Sequence, residues 1–460
     1  MNISGKTMNR RISFLVLTMV VFVTTQAQTN YTLEQLTDSA LLHNNAVKTA
    51  RNDIEIAGQQ RKEAFTNYFP NVSAVGLWFN ADKGMAGMEL NPSDYIPQSL
   101  GMALSQMMPP EELAALSGPV NIDMMKNGTI AGVTAVQPVF MGGQIVNGNK
   151  LAKVGEDVSK LKLRLSENEV RKTTWQYYWQ LVTLQEKMNT VEAAWSFLAG
   201  INKDVDVAVK AGVAMRNDLL QVQLRQNEVE SQKLQLQNGI SLMRLLLAQF
   251  CGLRDTSFVL KYASIKDTDV KQLGTPLMPV NQNAYLTRLP EYQLLQQQVK
   301  ATDLQRKMEI GKNMPSVAVG AGYNYHNLLD KGRSFGMIFA TVSVPISGWW
   351  GGSHAIKRKK IEQKKAEDQM ADNAELLHIR MQKAHNDLVE AQQQLELAYK
   401  SIEQAEENLR INRDQYQAGV SKMSDLLEAQ MLYQKACDDY TEKYGDYQIK
   451  VMEYKISIGE

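Results

Sequence analysis

The chain has 460 residues, with 50 Lys and Arg against 49 Asp and Glu, a formal charge of +1 at pH 7. So even a balance gives no electrostatic case for nucleic acid as a partner. The length would hold two or three ordinary domains, but an internal repetition argues for one duplicated unit instead.

Lys6, Arg10 and Arg11 precede an uncharged apolar run over 12–23, and Thr25, Gln26 and Ala27 follow where a signal peptidase would cut. Residues 1–27 therefore read as a secretory signal peptide outside the fold. The run is too short to span a bilayer as a helix, and no later stretch approaches about 18 apolar residues, so no transmembrane helix is expected in the mature chain. Cys251 and Cys437 both lie far from the cleavage site, which removes the usual attachment point for an N-terminal lipid. They are expected to be separate buried thiols.

The first repeat covers 28–253. Residues 32–66 have helical character, with Thr32 as a cap, and Tyr68, Phe69 and Pro70 stop the helix. An uncharged strand over 72–79 follows. Residues 80–128 form a long loop rich in Gly, Pro and Met, and its methionines suggest either soft-metal ligands or, the favoured reading, an apolar segment that packs on its neighbours. A second uncharged strand over 129–140 ends near Pro138 and meets Gly142 and Gly143. Proline withdraws a ladder donor and glycine permits unusual dihedrals, so these residues read as a strand-to-helix hinge. A proline-free helix over 144–209 and a return helix over 218–250 complete the repeat.

Residues 254–283 fit neither pattern and read as a connector around the helices. The second repeat, 284–460, has the same order: a helix over 284–312, a stop at Met314 and Pro315, a strand over 316–325, a short turn, and a strand over 334–347. The hinge residues here are Pro345, Gly351 and Gly352. A helix over 354–417 and a return helix over 425–458 follow.

The two long helices end in the same motif. Ala211, Gly212 and Val213 run on to Asp218 and Gln223; Ala418, Gly419 and Val420 run on to Asp425 and Gln430, every pair 207 residues apart. Each motif reads as the tip of a helical hairpin, with glycine breaking the first helix and Asp218 with Gln221, or Asp425 with Glu428, opening the return helix as a capping box. Each long helix would reach about 95–100 Å at 1.5 Å per residue, and each return helix about half that, so two shorter helices stacked end to end would match each long one. Tyr433, Cys437, Tyr440, Tyr444, Tyr447, Val451, Tyr454 and Ile458 alternate in steps of four and three, as do Leu395, Ala398, Ile402, Ala405, Leu409, Asn412 and Tyr416. So narrow a seam with polar flanks predicts a one-layer helical wall.

Four uncharged strands of bilayer length suit a β-barrel, with Phe65, Tyr68 and Phe69 at one end of the first strand and Trp78 and Phe79 at the other. Four strands cannot close alone and open edges are not tolerated in hydrocarbon, so a dimer with eight strands or a trimer with twelve is expected. No catalytic constellation, cofactor motif or metal set stands out; His378 and His385 share a helix face but lie about 10 Å apart at 1.5 Å per residue. The basic run Lys357, Arg358, Lys359 and Lys360 reads as a solvated face or a contact with anionic lipid headgroups. Asp425 and Glu428 would form carboxylate rings at the tip of a symmetric oligomer, able to attract cations and constrict an opening.

The two halves, the strand exits at 138–143 and 345–352 and the tip motifs at 211–223 and 416–430 together resemble the outer-membrane efflux family of TolC-type channels. The resemblance implies a mostly helical, internally duplicated chain that gives four strands to a homotrimeric twelve-strand barrel in the outer membrane, continued by a periplasmic helical barrel. It implies no enzyme activity, and as partners a second and third copy, outer-membrane lipid, a periplasmic adaptor and an inner-membrane transporter. It places Asp425 and Glu428 at the periplasmic aperture with Asp218 and Tyr416 as neighbours, and adaptor contacts at Ala211, Gly212, Val213, Ala418, Gly419 and Val420. Where some relatives have an arginine that locks the aperture this chain has Ser421, with Lys422 and Arg216 the candidates to replace it. A passive export duct in a tripartite efflux or type I secretion system is the expected function; a periplasmic or surface coiled-coil scaffold is the alternative.

Overall fold

A computed structural model describes residues 30–84, 86–92, 100, 102, 104, 107–112, 118, 120–262, 265, 282–328 and 331–460. The signal peptide, most of the connector and much of the methionine-rich loop lie outside the described residues. The chain divides into two compact units: one holds the chain up to Ile56 with Asp157–Gln298 and Glu367–Glu460, the other Ala57–Glu156 with Val299–Ala366. The described elements run β1 (Asn30–Tyr31), α1 (Leu33–His43), α2 (Asn45–Thr66), β2 (Asn71–Asn80), β3 (Ala86–Leu90), β4 (Val120–Met124), β5 (Asn127–Met141), α3 (Gln144–Lys210) and α4 (Arg216–Cys251). They continue with β6 (Val259–Leu260), α5 (Gln282–Leu286), α6 (Pro290–Lys312), β7 (Ser316–His326), β8 (Arg333–Ser343), α7 (Gly348–Gln417) and α8 (Met423–Ser457).

The first unit is helical. Its largest core joins Leu36 and Val47 with Leu181, Val182, Leu247, Phe258, Leu395 and Tyr440, so both repeats and the connector share one apolar interior. The connector's strand β6 pairs in parallel with β1. The four-three seams hold: none of their residues is exposed, and Cys437, Tyr440, Tyr444, Tyr454, Leu395 and Ala398 are fully buried. Cys251 and Cys437 are separate buried thiols, and burial pushes the Cys251 thiol up to about 12.

Two helices expected to be continuous are broken. Asn44 is extended between α1 and α2, its side-chain oxygen accepting from the Ala46 N–H at 2.9 Å while its amide donates to the Phe250 carbonyl at 3.3 Å. In the second repeat Pro290 opens α6, which excludes the preceding residue from helical dihedrals and separates α5. Both breaks meet the end of a return helix. Gly252 (φ 69°) closes α4 against His43, and Gly459 (φ 81°) follows α8 against Arg288 and Leu289. The two glycines are themselves 207 residues apart.

The second unit carries one antiparallel sheet in the order β2-β5-β7-β8, with a separate β3–β4 hairpin in the long loop. The β7–β8 ladder pairs eleven residues, about 37 Å at roughly 3.4 Å per residue and enough to cross hydrocarbon when tilted. Pro138 lies within β5 rather than at its end: the register shifts between Pro138 and Phe140, so the proline sits at a bulge, where a missing donor costs no ladder bond.

Candidate functional site

Register decides which sheet side chains share a face. One face is built from the rows Val72, Ala135, Ala321 and Ile338; Ala74, Val133, Tyr323 and Gly336; and Gly76, Ala131, Tyr325 and Ser334. Toward the helices it continues with Val319 beside Ala340 and Val317 beside Val342. Apart from Gln137 beside Val319, two tyrosine hydroxyls and Ser334 at the far rim, these rows are apolar, and Ile338 is 90% exposed and Val342 65%. The other face is mixed: Asn71, Ser73, Thr134, Asn324, His326, Arg333 and Thr341 share it with Val75, Leu77, Ile130, Val136, Phe335, Met337 and Phe339. The sheet therefore has one mainly apolar face, suited to lipid, and one mixed face, and both outer strands, β2 and β8, keep one edge without a partner among the described residues.

The strand exits are built differently. Gly142 (φ 60°) and Gly143 (φ 77°) turn the chain from β5 into α3, and the backbone of Gly142 packs directly on that of Gly311, where a methyl group on either would overlap the other's carbonyl. Pro345 follows β8 by two residues, and Gly351 and Gly352 lie inside α7, which already begins at Gly348. These two glycines are helical and do not turn the chain. The residues equivalent to Gly142 and Gly143 at the 207-residue offset are Trp349 and Trp350, and the Trp349 indole donates to the Asn313 carbonyl at 2.9 Å.

The two tips share one backbone design. Gly212 (φ 75°) donates to Val209 O and Val213 to Ala208 O; Gly419 (φ 74°) donates to Tyr416 O and Val420 to Gln415 O. Each pair closes the last turn of its helix in a Schellman motif. Ala211, Gly212, Val213, Ala418, Gly419 and Val420 are all exposed, and a side chain added at either glycine would meet nothing within 4 Å.

The return helices start earlier than their acidic residues suggest. Met215 and Lys422 occupy the capping positions, and Asp218 and Asp425, three residues on, accept from the Met215 N–H at 3.3 Å and the Lys422 N–H at 3.2 Å. Asp425 and Glu428 therefore do not form a capping pair: both are exposed, one turn apart on α8. Tyr416 packs with Val205, Val222, Met423 and Leu426 in the apolar cluster below the tips. Burial, then the charges of Asp218 and Asp204, raises its phenol above the ordinary range, so Asp218 and Tyr416 are neighbours in space as well as in motif. Arg216 and Lys422 make no ion pair within the chain among the described residues, and the enclosed Ser421 hydroxyl finds no partner there.

Further along α8 a feature appears that sequence periodicity did not signal. Asp438 is half-buried, and burial pushes its carboxyl up to about 6, with Glu442 adding to the rise and Lys187 opposing it. Lys187 is taken by an ion pair with Glu442, which leaves one Asp438 oxygen enclosed without a partner. Only the packing of α3 against α8 makes this acid unusual.

Residues 283–453 match the family described as Outer membrane efflux protein. In structure the chain is similar to the Campylobacter jejuni CmeC outer membrane channel (TM-score 0.71, 15% identity, 93% of this chain and 85% of that one). It is also similar to the outer membrane protein VceC of Vibrio cholerae (TM-score 0.69, 15% identity, 93% and 96%) and to the open state of the Neisseria gonorrhoeae MtrE outer membrane channel (TM-score 0.71, 15% identity, 93% and 88%). No curated protein matches the sequence. The fold is thus shared with outer-membrane channels, and residues 283–453 match the outer membrane efflux protein family. The scaffold alternative is not favoured, because a scaffold has no use for a sheet with an uncovered apolar face.

Proposed function

We propose that three copies close their four-stranded sheets into one twelve-strand barrel, and that the barrel and the helices form a passive export duct. The observation that carries this is the sheet itself: one face mainly apolar, the other mixed with the charged and amide side chains of Asn71, Asn324 and Arg333, and two open edges that hydrocarbon would not tolerate. Pairing β2 of one copy with β8 of the next satisfies both edges at once. Exposed leucines on α4, among them Leu220, Leu224 and Leu242, and exposed Leu376, Ile379 and Leu397 on α7 supply apolar surface for neighbouring copies to cover.

Asp425 and Glu428, exposed on α8 just past the second tip, would then repeat three times around the periplasmic end and set its aperture, with Asp218 and Tyr416 beside them. As a passive duct it would be served by an inner-membrane pump through a periplasmic adaptor that engages the exposed tips around Gly212 and Gly419. Single-channel conductance of the purified protein in planar bilayers tests the duct. Asp425→Ala with Glu428→Ala is expected to raise conductance and weaken block by divalent cations. A trimer that never conducts, with or without these changes, would refute the duct; unchanged conductance and block in the double variant would refute the aperture assignment alone.

A further inference from the structure

A groove of about 710 Å³ runs between α2 and α3 in the second unit, immediately below the start of β2. Its floor is tied together by Asn149, whose amide donates to the carbonyls of Ala64 and Ile145, both at 3.0 Å. Phe65, Tyr68 and Phe69 pack edge to face at one end of it, each more than a third exposed. Lys62, Lys150 and Lys153 line the rest and make no ion pair within the chain among the described residues; Arg61 is taken by Glu156 at 2.9 Å. On α7, by contrast, Arg358 and Lys359 both pair with Glu362.

Order along the helices is what gives the groove a meaning. α2 runs toward the sheet and α3 away from it, so the aromatic side chains and Val146 lie at the sheet end. The three lysines lie roughly one to two turns further out, about 5–10 Å. Gln137, on the apolar face of the sheet, donates to the Tyr68 carbonyl at 3.0 Å, which brings the aromatic turn to the side that would face lipid. An apolar end at the level of the sheet with a cationic end beyond it matches an acyl chain in the bilayer and an anionic headgroup at its surface.

The geometry points to a binding site for one anionic phospholipid of the leaflet adjoining the helices, its tail on Phe65 and Phe69 and its phosphate on Lys62, Lys150 and Lys153. This rests on the membrane reading of the sheet. The full chain, purified in detergent, is heated while dimyristoyl phosphatidylglycerol or dimyristoyl phosphatidylcholine is titrated in. Phosphatidylglycerol is expected to protect at a concentration at least tenfold below that of phosphatidylcholine. Lys62→Gln with Lys150→Gln and Lys153→Gln should abolish the preference, and Phe65→Ala with Phe69→Ala should weaken protection by both lipids. Equal protection by the two lipids, or a preference that survives the lysine changes, overturns the site; protection by inorganic phosphate equal to that by phosphatidylglycerol overturns its assignment to lipid. Should the triple variant fail to fold, Lys150→Gln against Lys150→Arg reads the same charge dependence. Heat-modifiable migration on gels reports the barrel separately, so its absence in the unmodified protein would count against the membrane reading and not against the lipid site.

Discussion

The two repeats agree at their tips and disagree at their strand exits. At the tips, Gly212 and Gly419 have φ of 75° and 74°, equivalent Schellman bonds and an equivalent aspartate three residues past the capping position. At the exits the same 207-residue offset pairs Gly142 and Gly143, both left-handed, with Trp349 and Trp350, both helical. A tip is decided by its own backbone in open solvent, so the same residues give the same structure. An exit is decided by what packs against it: the first repeat needs a bare backbone to meet Gly311, while the second reaches Asn313 with an indole.

Substitution at the exits should expose this contrast most strongly. Gly142→Ala places a methyl group against the Gly311 carbonyl at a left-handed position, and a loss of about 3 kcal/mol or more is expected. Thermal unfolding and loss of heat-modifiable migration would show it; a cost below about 1 kcal/mol would mean that the backbone contact is easily relieved.

Asp438 contrasts the packed shaft with the solvated tips. Its folded carboxyl holds a proton up to about pH 6, against an ordinary value of 3.8, so its contribution is favourable at low pH and is lost as pH rises through about 6. Asp438→Asn should therefore be more stable than the parent at pH 7 by about 1–2 kcal/mol, after allowing for partial exposure, with the advantage gone below about pH 4. Melting temperatures of both proteins between pH 4 and 8 give the difference directly.

The tips themselves should respond weakly and alike. Gly212→Ala and Gly419→Ala meet open space, so each should cost only the left-handed penalty, about 1 kcal/mol. Hydrogen exchange at the last helical turns would detect it, and unequal costs would break the equivalence of the two tips. The smallest effect carries the opposite sign: Gly351→Ala, helical and with nothing within 4 Å of the added methyl, should stabilise by about 0.5–1 kcal/mol, seen as a small rise in melting temperature.

Much of the fold was written along the chain because its signals are local. The tip glycines, the four-three seams on α7 and α8 and the uncharged strands depend on residues within a few turns of one another, and periodicity reports such relations faithfully. The breaks at Asn44 and before Pro290 were harder to see. Pro290 carried a local signal, but Asn44 leaves its helix because the Phe250 carbonyl, 206 residues away, accepts its amide.

The sequence by itself determined the duplication and the strand and helix order, each of which follows from near neighbours or a fixed repeat. Tertiary structure alone decided that Gly142 meets Gly311, that Gly351 and Gly352 are helical, that Asp438 is starved of a partner, and that three lysines and three aromatic rings line one groove. Those facts concern which surfaces approach one another, and close packing fixes that only after the helices and strands are in place.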